Sequence, residues 1–290
     1  MASLITIKRR IGSIRGTRQI TKAMELVSAS KLRRAQEYAQ RSRAYGDLAQ
    51  DLLARLNAIQ EVERHPLFEK RPVRNRLYIV VTSSSGLAGA YNANILKLLT
   101  QDITSDRAAK VASQVIALGT KGAQFVRRLR DVELVAVYPS FGDQPTANDV
   151  RPILSTIIKM FEDKTIDEVQ ILYTLSKSSI SQSVKSRQLL PAVADPVELT
   201  EPVPTVSTFE PDIETVIEQV GTRLIEAQIW QAVLESLASE HAMRMVAMKN
   251  ATDNASDLID DYTLEYNTAR QGVITQQLAE VTGGAEAMKE

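Results

Sequence analysis

Cysteine is absent from this 290-residue chain, which excludes disulfides, thiolate metal sites and thiol nucleophiles. Only two histidines occur, His65 and His241, too few for a histidine-based zinc site or acid–base pair. Aromatic residues make up 5% of the sequence, lean for a core filled by rings, and long helices with Ala, Leu and Met seams would produce that figure. No apolar run approaches the roughly 18–20 residues of a membrane span. The start, MASLITIKRR, carries neither an apolar signal core nor a cleavage site. The sequence therefore reads as that of a protein made and kept in the cytoplasm. Proline is missing from both ends: all ten prolines lie between Pro66 and Pro211. An interior proline costs a helix about 3 kcal/mol, so ends of 65 and 79 residues without one permit uninterrupted helices.

What is present divides the chain into three segments, 1–65, 66–211 and 212–290. The net charge is zero, but it is segregated. Residues 1–50 carry eleven Lys or Arg against three acids, and residues 212–290 carry five against fourteen. A basic amphipathic helix can meet nucleic acid, an anionic membrane or an acidic protein, and here the acidic last segment is the nearest candidate partner. Apolar residues of the first segment recur at helical spacing through Leu4, Ile7, Ile11, Ile14, Ile20, Met24, Val27, Tyr38, Tyr45, Leu48 and Leu52. The seam slips near Arg18, as a straight helix does against a seven-residue repeat. The last segment carries a similar stripe through Ile213, Val216, Val220, Leu224, Trp230, Leu234, Leu237, His241, Met245, Met248, Ala255, Leu258 and Tyr262. Both read as coiled-coil or bundle seams.

The middle segment alternates strand-like runs (Leu77–Val81, Val115–Leu118, Val132–Val137, Val169–Leu175) with helical stretches near 91–104, 120–130 and 147–162. That alternation predicts βαβ units and a mostly parallel sheet. Ser183–Leu190 adds a further strand, and the proline-rich stretch Pro191–Pro211 reads as an extended return linker. The expected fold class is α/β: a long antiparallel coiled coil of the N- and C-terminal helices with an inserted Rossmann-like domain. Helix should reach about 60% of residues, against a norm of roughly 30–35%. The last helix, the longer of the two, should overhang as a single strand.

Three features compete as sites. Ser83-Ser84-Ser85-Gly86-Leu87-Ala88-Gly89-Ala90-Tyr91-Asn92 stands between a strand and a helix, where a doubly wound sheet places a phosphate loop. It has two glycines and no Lys-Ser/Thr, which favours a tight strand-to-helix turn over a nucleotide site. The basic face of Lys8, Arg9, Arg10, Arg15, Arg18, Lys22, Lys31, Arg33 and Arg34 could meet nucleic acid, but no aromatic platform interleaves it, and a protein partner fits better. His241 on the last seam reads as packed, and Asp257, Asp260 and Asp261 as a solvated face rather than a cation site.

Longer motifs then carry a resemblance. From Thr17 to Ala35 the chain reads TRQITKAMELVSASKLRRA. Gly86-Leu87-Ala88-Gly89-Ala90-Tyr91-Asn92 follows, then Arg244 to Asn254 (RMVAMKNATDN), Tyr266 to Gln271 (YNTARQ) and Ile274 to Ala285 (ITQQLAEVTGGA). In this order, across nearly the whole length, these blocks resemble the gamma-subunit family of F-type ATP synthases. The chain departs from the family's usual pattern at Ser84 and Ser85, which replace an acidic–basic pair, at Ala88, which replaces cysteine, and at Gln277, which replaces glutamate.

The resemblance implies a rotor with no catalytic site, metal or cofactor of its own, no small-molecule substrate and no nucleic acid. Two antiparallel helices form an axle whose tip sits inside a ring of three alpha and three beta subunits. The α/β domain contacts the epsilon subunit and the membrane-embedded c-ring. Proton flow turns the axle and drives the beta sites through ATP synthesis or hydrolysis, on the cytoplasmic face of the bacterial plasma membrane. By the same resemblance Lys22 and Met24 face the beta subunit's acidic contact turn, and Arg244, Arg270, Gln271 and Thr275 engage its catch loops.

Overall fold

A computed structural model describes residues 4–57, 65–139, 141–142, 145–176, 178, 181–192 and 213–287. The expected linker lies outside them from residue 193 onward. Two helices dominate: α1, Leu4–Asn57, with 54 residues, and α5, Ile213–Ala287, with 75. At 1.5 Å per residue they extend about 80 Å and about 110 Å. Between them come β1 (Asn75–Val81), α2 (Tyr91–Ala108), β2 (Ala112–Leu118), α3 (Thr120–Val126), β3 (Val132–Tyr138), α4 (Ala147–Glu162), β4 (Glu168–Ser176) and β5 (Gln182–Leu190). Contacts group the chain into two compact units. One joins Met1–Val27 to Met245–Glu290, and the other is Ser28–Arg244.

The larger unit is built on one sheet of order β3-β2-β1-β4-β5. Strands β1 to β4 are parallel, and β5 runs antiparallel on the edge beside β4. Side chains alternate across a strand, so Leu77, Ile79 and Val81 enter one core with α4 and α5, while Tyr78 and Val80 enter the other with α2. Burial on both faces explains why these strands read as continuous apolar runs. Helix α2 buries Tyr91, Ile95, Leu99 and Ile103 at helical spacing. Helix α4 starts at Thr146, whose N–H donates to Asp149 Oδ2 at 2.6 Å, a capping box that fixes the first turn.

Helix α5 belongs to this core. From Leu224 to Arg244 nearly every residue is buried, with Leu224, Ile225, Ala227, Ile229, Ala232 and Val233 in the sheet's main core. Its other side faces α1, since Tyr38 and Ser42 line one cavity with Trp230 and Leu234. A single stripe was expected here. Two packed surfaces convert it into burial all round.

In the smaller unit the helices pair antiparallel: Ile7 and Ile11 pack against Ile259, Tyr262, Tyr266 and Ala269, and farther along Thr252 Oγ1 meets Thr21 Oγ1 at 2.9 Å. Buried and half-buried residues on α5 fall at Met248, Thr252, Ala255, Ile259, Tyr262, Tyr266 and Ala269, a strict 4,3 alternation. On α1, through both units, the same alternation runs through Ile7, Ile11, Ile14, Arg18, Thr21, Glu25, Ser28, Leu32, Ala35 and Ala39, where only Arg18 is exposed.

This corrects three expectations. The α1 seam does not slip at Arg18; the heptad continues through Thr21 and Ser28, while Ile20 and Val27 stand 63% and 55% exposed. On α5, Ile259 takes the place expected of Leu258, which is 45% exposed. Leu48 is exposed as well. Thr21 is tolerated in the seam because its hydroxyl is bonded to both Arg18 O and Thr252, so no polar group is left unpaired. The side chains of Tyr45, Leu52, Ile213 and Val216 lie outside the described residues.

A polar cluster fastens α2 beneath the sheet. Asp106, 2% exposed, accepts from Arg76, from Tyr78 Oη at 2.7 Å and from Ser113 Oγ at 3.1 Å. One turn earlier, Asp102 has its Oδ2 buried without a hydrogen-bond partner. Burial first, and the charge of Asp106 second, raise its carboxyl above the ordinary 3.8. A raised carboxyl favours the fold below its unfolded pKa, and that contribution is lost as pH rises through the raised value. Asp102→Asn is therefore expected to raise Tm at pH 7, with the gain closing below about pH 3.5. A thermal-melt series across pH checks this, and a gain independent of pH would refute the assignment.

Candidate functional site

The turn after β1 is the most site-like backbone of the larger unit. Sheets of this kind bind ligands at the carboxyl ends of their strands, where the connections diverge, and the β1–α2 turn lies at that edge. Its groups are already engaged. Asn92 Nδ2 donates to Ser83 Oγ at 2.7 Å, and Ser83 N–H donates to Asn92 Oδ1 at 3.0 Å. Thr120 Oγ1 donates to Ser84 O at 3.0 Å, and Lys121 N–H to Ser83 O at 3.1 Å. These bonds tie the turn to the start of α3.

From the other side α5 closes over the same edge. Ser236, 0% exposed, shares a 2.7 Å hydrogen bond with Tyr91 Oη and accepts from Thr174 N–H. Ser239 Oγ donates to Thr174 O at 2.9 Å. Arg244 Nη2 donates to Ser85 Oγ at 2.8 Å and pairs with Glu240 at 2.7 Å. Burial, first, pushes the Tyr91 hydroxyl well above its ordinary range, and the nearby charge of Glu240 adds to it. Burial also raises the Glu240 carboxyl, while Arg244 and then Lys31 pull it back. The crevice in which a nucleotide would lie is thus filled by the chain's own helix. Isothermal calorimetry with Mg-ATP on the isolated chain should show no heat of binding, and submillimolar affinity would restore the enzyme reading.

A cavity of about 560 Å³ opens between α1 and α5 beside Tyr38, Arg41, Arg151, Arg223 and Trp230. It shares no residue with the turn, and Glu226 already binds Arg151 at 3.0 Å and Arg223 at 2.6 Å. Among the described residues no group of His, Cys, Asp or Glu could hold a metal ion. His241 is buried, as its seam position implied. No described helix is long and apolar enough to cross a membrane.

The six residues expected to meet a partner fall into different settings. Lys22 is exposed and pairs with Glu25 one turn on, at 3.1 Å. Met24 is half-buried, and Arg270, Gln271 and Thr275 are exposed. Arg244 is 8% exposed and is held internally by Ser85 and Glu240. The segregated charges meet sparingly across the pair. Arg33 pairs with Glu37 of its own helix, Arg10 stacks on the Tyr262 ring, and Lys31 acts on Glu240.

Two apolar surfaces escaped the sequence reading. Ile20, Leu26 and Val27 are exposed on α1 around Lys22 and Met24. On α5 every residue from Arg270 to Ala285 is exposed. There the seam positions continue as Val273, Gln276, Glu280 and Gly283, mostly polar, whereas Ile274, Leu278 and Val281 form a separate exposed stripe. Counting in strict sevens from Ile7 would have revealed the first surface, and counting on from Ala269 the second.

The arrangement has the form of a binding surface: a stiff helix pair with unpartnered apolar stripes. A family model described as ATP synthase matches residues 3–288. The chain is 41% identical over 290 residues to a protein of Macrococcus caseolyticus named ATP synthase gamma chain, with 100% of both covered. It is 38% identical over 289 residues to one of the same name from Staphylococcus saprophyticus, again with 100% of both covered. In fold it is similar to a chain of the Euglena gracilis mitochondrial ATP synthase, with a TM-score of 0.70, 19% identity, and 98% of this chain and 94% of that one covered. It is likewise similar to a chain of the central stalk and c-ring structure from Tetrahymena thermophila, with a TM-score of 0.61, 23% identity and 80% and 99% covered.

Proposed function

We propose, from the premise that the chain belongs to the ATP synthase gamma-chain family, that it is the central rotor of a rotary ATP synthase. It is a non-catalytic subunit. Its paired helices transmit torque between a membrane-embedded c-ring and a surrounding ring of alpha and beta subunits, with the epsilon subunit also bound. The observation that carries the mechanism is the strict 4,3 seam joining α1 to α5, followed by an α5 end exposed on every side. A packed coiled coil resists twisting, and the ring around it has discrete conformational states that a turning, asymmetric shaft can select in sequence.

The partner contacts belong to the same proposal. Lys22 and Met24, within the exposed patch of Ile20, Leu26 and Val27, face an acidic turn of the beta subunit. Arg270, Gln271 and Thr275 meet its catch loops. Arg244, committed inward, enters the site list on different terms, taken up below. The complex is peripheral to the membrane, and we place it on the cytoplasmic face of the bacterial plasma membrane, because the c-ring partner is embedded there.

Affinity purification of the tagged chain from its host tests the assignment, since alpha and beta subunits should co-elute. Truncating Arg270 and Gln271 together to Ala should lower ATPase turnover of the assembled complex about fivefold, as the loss of one polar contact would. Stability of the isolated chain should change by less than about 0.5 kcal/mol. Turnover equal to wild type would remove both residues from the contact set.

A further inference from the structure

The turn after β1 ends in an apolar knob. Leu87 is 62% exposed yet sits at φ 61°, in the left-handed region that a branched side chain occupies only under constraint. The constraint is visible on both sides. Ser83 and Ser84 are tied to α3 through Lys121 and Thr120, and Ser85 is tied to α5 through Arg244. Arg244 Nη2 also reaches Gly86 O at 3.5 Å, one residue short of the knob. Glu240, one turn back on α5, holds the same guanidinium at 2.7 Å. Next to Leu87, Ala88 is 3% exposed and anchors the turn inward. A strained, solvent-facing leucine on a pinned turn buries nothing within its own chain, whereas it is well formed to enter an apolar socket on another protein.

We propose that Arg244 is a positioning residue, locking the β1–α2 turn to α5 so that Leu87 is presented as a rigid contact to the surrounding alpha–beta ring. Arg244 therefore acts on the partner through Leu87 and not by touching it. The inference rests on the rotor reading, because the ring is the only partner there whose rate the knob could control. Rigidity is what the latch contributes: a loose knob would enter the same socket after losing conformational freedom, which weakens the contact.

The experiment uses the full chain reconstituted with alpha and beta subunits, with ATP hydrolysis turnover as the readout and thermal melting of the free chain as the control. Arg244→Gln alone is ambiguous, since it strips Glu240 of its partner, so Ser85→Ala carries the test: Ser85 is exposed and its removal breaks the latch from the far side. Ser85→Ala and Leu87→Ala should each lower turnover, the first about fivefold, as the loss of one hydrogen bond would. The double variant should be no slower than Leu87→Ala, because positioning has no effect without the knob. Melting temperatures should stay at the wild-type value. Wild-type turnover in Ser85→Ala, additive losses in the double variant, or losses matched by lower melting temperatures would overturn the proposal. Failure of the wild-type chain to assemble with the ring would instead sink the rotor reading.

Discussion

Gly119→Ala should leave the Ser28–Arg244 unit unable to fold. Gly119 ends β2 at φ 93°, ψ 147°, a region open essentially to glycine alone. A Cβ placed there would lie 2.1 Å from the carbonyl oxygen of Thr82 and 2.7 Å from its carbonyl carbon. Neither atom is free to move. Thr82 N–H donates to Leu118 O at 2.7 Å, Thr82 Oγ1 donates to the same oxygen at 2.8 Å, and Gly122 N–H donates to Thr82 Oγ1 at 2.9 Å. Gly119 N–H is itself bonded to Tyr138 O at 3.0 Å, so β1, β2 and β3 would all have to shift. A backbone clash added to dihedral strain exceeds the ordinary range for point changes, on the order of 4 kcal/mol or more, against a total stability of about 5–15 kcal/mol. Denaturant titration followed by circular dichroism should find the sheet signal lost or its midpoint collapsed. A midpoint close to wild type would show that the turn can relax.

The second large effect is expected from Ile259→Asp in the other unit. Ile259 is 7% exposed against Ile7 and Ile11, and Asp260 and Asp261 follow it directly, so the new carboxylate would be buried beside like charges. An unpaired buried charge costs several kcal/mol. The few apolar residues around it (Ile14, Tyr262, Tyr266, Ala269) form too small a core to absorb that loss. Hydrogen exchange should show amides of residues 4–27 and 245–269 losing protection, while β1, β2 and β4 keep theirs. Ile259→Val is the control, at about 0.5–1.5 kcal/mol. Unchanged exchange in the helix pair would mean that the seam lies elsewhere.

How far the sequence could be read depended on the kind of signal. Proline placement and apolar alternation are local properties, and they located both long helices, all four parallel strands and β5 within a few residues. The heptad on α1 was harder. Its seam passes through Thr21, Glu25 and Ser28 while Ile20, Leu26 and Val27 point away, so hydrophobicity and spacing disagree. Spacing governs, because two helices can stay in contact over several turns only at a 3.5-residue repeat. The apolar residues left outside belong to a surface for another protein, and one chain's periodicity does not announce that.

The amino-acid sequence by itself determined the elements: two proline-free helices, four short parallel strands, an antiparallel edge, and turns without the glycine and lysine pattern of a phosphate loop. Those follow from backbone sterics and from the period at which apolar side chains repeat. Only the tertiary structure decided what α5 does along its length. It is buried on all sides between Leu224 and Arg244, paired along one stripe from Met248 to Ala269, and bare from Arg270 to Ala285. The tertiary structure also decided that Arg244 turns inward to Ser85, 159 residues away in the chain. A helix's neighbours are set by which distant surfaces close on it, and a sequence states what a residue is before it states what the residue will meet.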